Sequence, residues 1–196
     1  MFIVFEGLDG SGQSTQSNAL KDYLIDEKKV DVMLTKEQTD GFIGGLIKAG
    51  LKHEWKTSPL GLQLLFVADR AHHLFAEIEP ALDVGKIVIS DRYIFSTLAF
   101  GALGADMDFL KMINSKFRKP DVTFILDTPP EVCLERIKRS RFQHLELFEK
   151  IEMMKKIREN YLSLKSYFPN VYIINGNRTK DEIHKEIVGI IEKHMK

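Results

Sequence analysis

The chain has 196 residues, 44% of them hydrophobic, and a formal net charge of zero. That length fits one domain with an ordinary core, and the neutral balance excludes a broad nucleic-acid footprint. A single cysteine, Cys133, excludes an internal disulfide or a cysteine-cluster metal site.

We expect Cys133 to be buried as packing. Phe2 to Phe5 is followed at once by Glu6 and Asp9, which does not read as a signal peptide. No apolar run approaches the roughly 20 residues of a membrane span. These features predict a cytoplasmic protein without a membrane or nucleic-acid partner.

Taken in order, five short apolar runs at 2–5, 30–35, 86–90, 122–126 and 171–174 alternate with helical patterns. The runs are continuous rather than alternating, which suits strands covered on both faces. The alternation predicts an α/β fold with a parallel sheet. The first helix is expected over 14–26, with Ala19, Leu20, Tyr23 and Leu24 inward. A loop at 36–41 and a short helix at 42–49 follow.

Ser58-Pro59 reads as a helix start. That helix runs toward Pro80, with a kink or break near its end. A helix carrying Ser96, Thr97 and Phe100 follows the third strand. Another opens at Thr128-Pro129-Pro130-Glu131 and ends in a basic cluster. A long helix is predicted over 148–165. Thr179 and Glu182 form a capping box for the last helix, whose buried stripe is Ile183, Ile187, Val188, Ile191 and Met195.

The opening stretch carries the sharpest chemistry. An apolar run leads into Gly7-Leu8-Asp9-Gly10-Ser11-Gly12-Gln13-Ser14-Thr15. This matches the phosphate-binding loop G-x-x-x-x-G-K-[ST] except that glutamine replaces lysine at 13. Such a loop wraps phosphates in backbone N–H groups at a helix N-terminus, and Ser14 is placed to ligate Mg²⁺. Gln13 offers N–H donors but no charge, and charge-assisted bonds are roughly twice as strong as neutral ones.

Asp91-Arg92 ends the third strand, where ligands bind in open parallel sheets. There Asp91 can order Mg²⁺, and Arg92 can grip phosphate with two prongs. Phe66 and Arg70 lie four apart, on one helix face, and offer a ring for stacking and a guanidinium for a base edge. The cluster Arg136, Lys138, Arg139 and Arg141 is a candidate lid over transferring phosphates. His72 and His73 read as helix surface or packing.

Together these pieces resemble thymidylate kinases, within the nucleoside-monophosphate kinase group. The resemblance covers nearly the whole chain as one domain, 1–196, with a lid at about 136–148. It rests on Phe5-Glu6-Gly7-Leu8-Asp9-Gly10-Ser11-Gly12, Leu65-Phe66-Val67-Ala68-Asp69-Arg70, Asp91-Arg92-Tyr93 with Ser96, and Leu126-Asp127-Thr128-Pro129-Pro130-Glu131. The loop from Thr35 to Gly44 and Phe148-Glu149 look like the archaeal branch.

The resemblance implies a three-layer fold with a five-stranded parallel sheet, a homodimer, and transfer of the ATP γ-phosphoryl group to dTMP with Mg²⁺. It implies that residues 7–15 and Arg136 bind ATP, and that Ser14 and Asp91 serve the metal. Phe66 would stack on thymine and Arg70 would bond its edge. Lys36 and Arg92 would hold the acceptor phosphate, Asp9 would place sugar and phosphate, and Ser96, Thr97 and Phe100 would line that pocket. Arg139 and Arg141 would join Asp9, Gln13 and Arg92 in the transfer step. Gln13 keeps two other readings open: a nucleotide-binding relative without catalysis, and a kinase for another deoxynucleoside monophosphate.

Overall fold

The structure is a computed structural model. It describes the backbone of residues 1–140 and 147–195, and the side chains of 1–137 and 150–195. Five strands form one parallel sheet in the order β2-β3-β1-β4-β5. They are β1 (Phe2–Gly7), β2 (Val32–Lys36), β3 (Ile87–Asp91), β4 (Val122–Asp127) and β5 (Val171–Asn175). All five lie where the apolar runs predict them. The three central strands are almost wholly buried, as continuous apolar runs require.

Helices cover both faces. They are α1 (Gln13–Asp26), α2 (Phe42–Leu51), α3 (Pro59–His73), α4 (Glu79–Asp83), α5 (Ile94–Gly101), α6 (Met107–Asn114), α7 (Pro130–Ser140), α8 (Leu147–Ser163) and α9 (Lys180–His194). On one face Phe5, Leu20, Leu24, Phe124, Ile183, Ile187 and Ile191 pack α1 and α9 onto the sheet. On the other, Phe2, Val4, Tyr93, Phe95, Leu98, Ile157 and Tyr161 pack α5 and α8. Cys133 is buried there, and burial pushes its thiol up to about 12. That suits packing rather than thiolate chemistry.

Three local outcomes refine the sequence reading. The break before Pro80 is a π-helical turn, Leu74–Ile78, joining α3 to α4. Pro80 lacks the N–H that would continue a regular helix, and a wider turn absorbs the loss. Helix α6 was not expected; its signal is Asp106, whose carboxylate accepts from the Phe109 amide at 2.8 Å. The capping box at Thr179 and Glu182 forms as predicted, but Met195 is 36% exposed and leaves the buried stripe to the isoleucines. It sits at the helix C-cap, beyond the last turn that faces the sheet.

Candidate active site

The chain leaves the central strand β1 toward β2 and β3 on one side and later reaches β4 and β5 on the other. Everything that ends a strand therefore gathers around Gly7. Register pairs Phe5 and Lys36 with Asp91 across β1, β3 and β2. It pairs Gly7 with Leu126 and Asp127 with Asn175 across β1, β4 and β5.

The loop after β1 has the shape of a cradle. Gly10 has φ +83°, and a Cβ there would lie 2.6 Å from the Cys133 carbonyl oxygen. Gly7 is as tight, with a Cβ 2.8 Å from the Leu126 oxygen. Only glycine lets this backbone pass. Arg136 donates to the carbonyls of Gly10, Ser11 and Gly176 at 3.4, 3.3 and 3.1 Å. Helix α1 starts at Gly12 without a side-chain cap, so its first-turn amides have no competing side chain.

A cavity of about 730 Å³ opens over this loop, lined by Leu8 to Gln16 together with Asp91, Arg92 and Arg136. All the residues expected to meet ATP line it except Gly7, which pairs with Leu126 at the end of β1. Gln13 is buried, and its Nε2 donates to the Gly7 carbonyl at 2.8 Å. Its amide ties the loop to its own start. Arg141 and lid positions 141–146 lie outside the described residues, as do the side chains of Arg139 and of the rest of the expected lid from 138 to 148.

Ser14 Oγ donates to Asp91 Oδ2 at the cavity edge. Among the described residues no group of three or more histidine, cysteine or acidic side chains is arranged for a metal. One hydroxyl and one carboxylate fit Mg²⁺, which takes few protein ligands and completes its shell with phosphate oxygens and water.

A second cavity of about 1130 Å³ adjoins the first. Phe66, Arg70, Ser96, Thr97 and Phe100, which the family resemblance puts at the acceptor, line it, and Asp9, Lys36 and Arg92 line both. Arg92 is the pivot. Its Nη2 donates to Asp9 Oδ1 at 2.7 Å, and its Nη1 to Gly7 O, Ser96 Oγ and Tyr161 Oη at 3.0, 2.9 and 3.2 Å. Phe100 lies 5.3 Å beneath the guanidinium. Burial works against the charge, but Tyr161, Asp9, Glu6 and Asp91 around it outweigh that and hold Arg92 protonated.

Behind Arg92 stands Glu6, which the sequence reading left in the strand. It is fully buried and accepts from the Tyr93 and Ser96 amides, Ser96 Oγ and Tyr161 Oη. Burial raises its pKa, against the opposing pull of Ser96 and Arg92. The native carboxyl thus holds its proton to higher pH than the unfolded one. This group's contribution to stability falls as pH rises from the ordinary carboxylate value through the raised one. We expect Glu6→Gln to remove that segment of the pH dependence. Melting temperatures of both proteins across acidic to neutral pH check this; parallel curves would refute it.

Arg70 departs most from a free reader of a base edge. It is 1% exposed. Its Nε and Nη2 donate to Glu37 Oε2 at 3.0 and 2.6 Å, and Nη2 also to Tyr93 O and Thr97 Oγ1. Nη1 donates to Asn114 at 2.5 Å. The loop after β2 is anchored on the same helix: Asp69 accepts from the Thr39 amide and hydroxyl, and His73 sits buried 3.5 Å from Glu37 and 2.7 Å from Thr35. His73 is therefore packing, as predicted, and His72 is exposed. Lys36 points to Asp40, 3.3 Å away, at the rim of both cavities.

A phosphate loop on the central strand of a parallel sheet, with a second cavity beside it that shares Arg92, defines a P-loop kinase for small nucleotides. The family model for thymidylate kinase matches residues 5–187. The probable thymidylate kinase of Thermococcus kodakarensis is 42% identical over 201 residues, covering 98% of this chain and 97% of that protein. The probable thymidylate kinase 1 of Saccharolobus solfataricus is 39% identical over 196 residues, covering 98% and 97%. The crystal structure of thymidylate kinase from Ehrlichia chaffeensis superposes with TM-score 0.79 at 28% identity, covering 97% and 98%. The chain belongs to the thymidylate kinase family.

Proposed function

We propose that the protein transfers the γ-phosphoryl group of ATP to dTMP, giving dTDP and ADP. The two adjoining cavities with Arg92 between them carry this reading, and full-length similarity to thymidylate kinases supports it. An oxygen of the dTMP phosphate forms the new bond to the γ-phosphorus. The bond from that phosphorus to the β–γ bridging oxygen breaks, and its electron pair stays on ADP. Such transfers depend on positioning and charge stabilisation rather than on covalent help from the protein.

In this reading Gly7 to Thr15 cradle the donor phosphates. Arg92, steadied by Ser96, Tyr161 and Asp9, orients the acceptor phosphate, and Lys36 leaves Asp40 to assist. Phe66 stacks on the base; Arg70, fixed by Glu37 and Asn114, meets its edge beside Thr97; Phe100 walls the sugar. Mg²⁺ would be held by Ser14 and Asp91 and would neutralise charge on the phosphates. The alternatives of a non-catalytic relative and another substrate are not favoured by the comparisons. A panel of dTMP, dUMP, dCMP, dGMP and dAMP with Mg-ATP tests the assignment. Preferred turnover of dTMP is expected, and no turnover or another preference would reject it.

We also propose a single-domain homodimer in the cytoplasm. Among the described residues no helix is long and apolar enough to cross a membrane. Helix α3 and the π turn after it expose Leu60, Leu64 and Phe75, and Met112 of α6 is exposed too. Spacing of four residues puts Leu60 and Leu64 on one stripe. Helix α5 contributes little, since most of its side chains are buried. Leu64→Glu is expected to convert the dimer to monomer in sedimentation velocity at micromolar concentration. A monomeric wild type would remove the proposal.

A further inference from the structure

We infer that Lys150, at the start of α8, is a catalytic residue: its ammonium supplies the positive charge at the transferring phosphoryl group that Gln13 leaves out of the phosphate loop. The inference rests on the phosphoryl-transfer reading above.

The placement comes from one face of α8. Lys150, Met153, Met154 and Ile157 line the donor cavity. Their spacing of three, four and seven is one stripe of a helix. Tyr161, four residues further, continues that stripe to Arg92 and Ser96. Helix α8 therefore lies along the site from the donor phosphates to the acceptor pivot. Lys150 is the one charged side chain on this stripe.

The junction of the cavities fixes where transfer happens. Asp9, Arg92, Phe100 and Met153 are among the residues lining both. Donor and acceptor phosphates meet there. Lys150 is one turn before Met153, on its donor side.

A comparison of the cations in the donor cavity points to the same residue. Arg136 is spent on backbone carbonyls. Arg92 is paired with Asp9, Lys36 with Asp40, and Arg178 with Glu186. Lys150 and Lys180 are left, the two whose side chains make no ion pair or hydrogen bond among the described residues. Lys180 is exposed and opens α9, none of whose residues lines the acceptor cavity, whereas α8 reaches that cavity through Met153. Lys150 is half-buried and next to the junction. A preplaced ammonium there acts in a partly water-excluded site, where it strengthens as charge shifts to the β–γ oxygen.

The test measures dTDP and ADP formation from Mg-ATP and dTMP for wild type, Lys150→Met, Lys150→Arg, Gln13→Lys and the double variant Gln13→Lys/Lys150→Met. Lys150→Met is expected to lose about 10²-fold in kcat with the dTMP KM within about twofold, and to bind Mg-ATP about tenfold more weakly by calorimetry. Lys150→Arg keeps most of the rate. Gln13→Lys raises the Lys150→Met rate about tenfold or more, and raises wild type far less, because the two charges serve one role. A kcat for Lys150→Met within twofold of wild type overturns the inference. So does an equal effect of Gln13→Lys in both backgrounds. If Lys150→Met melts well below wild type, Lys150→Gln is measured against the same limits. If wild type forms no dTDP, the kinase reading itself fails, and unchanged Mg-ATP affinity in Lys150→Met then rejects the inference too.

Discussion

Replacing Arg70 with methionine is expected to cost about 3–5 kcal/mol of folding stability, because it leaves the buried Glu37 without its ion-pair partner. The Arg70 and Glu37 side chains are 1% and 3% exposed, so solvent screens little of this pair. The same change strips Asn114, Thr97 and the Tyr93 carbonyl of a donor. Urea unfolding of wild type and variant gives the difference. A loss under 1 kcal/mol would mean that the pair does not hold this region together.

A second variant separates fold from recognition. Arg70→Met/Glu37→Leu removes both charges, and replacing a buried pair by apolar groups is often near neutral. We expect most of the lost stability to return. If Arg70 meets the base edge as proposed, dTMP affinity should not return, because its donor fork is gone. Recovery of both would show that Arg70 only supports the wall of the cavity.

Arg92→Met is expected to lower kcat/KM for dTMP about a thousandfold, which corresponds to about 4 kcal/mol. The side chain is 19% exposed, bonded at both nitrogens of its fork and stacked on Phe100. Lysine should rescue little, since one ammonium cannot reproduce a fork that already serves Asp9 and Ser96. The fold should survive, because Ser96, Tyr161 and the Tyr93 amide still serve Glu6. Steady-state kinetics with varied dTMP at saturating Mg-ATP measures the effect. A change below tenfold would move the acceptor phosphate elsewhere in the cavity.

Gln13 shows how one substitution can be read in two ways. From the sequence it is a missing charge. In the folded chain it is also a tie, since its amide closes the phosphate loop onto the Gly7 carbonyl, which Arg92 shares. The loop shape then rests on glycine φ angles and on Arg136 behind it, neither of which needs a lysine.

Local chemistry was enough for much of the architecture. Continuous apolar runs named all five strands, because buried parallel strands need such runs. The glycine loop, the serine cap before Pro59 and the capping box before α9 were legible too, since each is made by residues within a few positions of one another. Resemblance to a known family named Phe66, Arg70, Ser96, Thr97 and Phe100, which share the second cavity. The partners that fix those residues were not legible. Glu6 meets Tyr161 across 155 positions, Arg70 meets Asn114 across 44, and Arg92 meets Asp9 across 83. No periodicity or spacing rule carries such pairs; only the order of the strands brings them together. The stripe of α8 was visible as a helix, yet what it faced was decided when the sheet set β1 at its centre and laid that helix along both cavities.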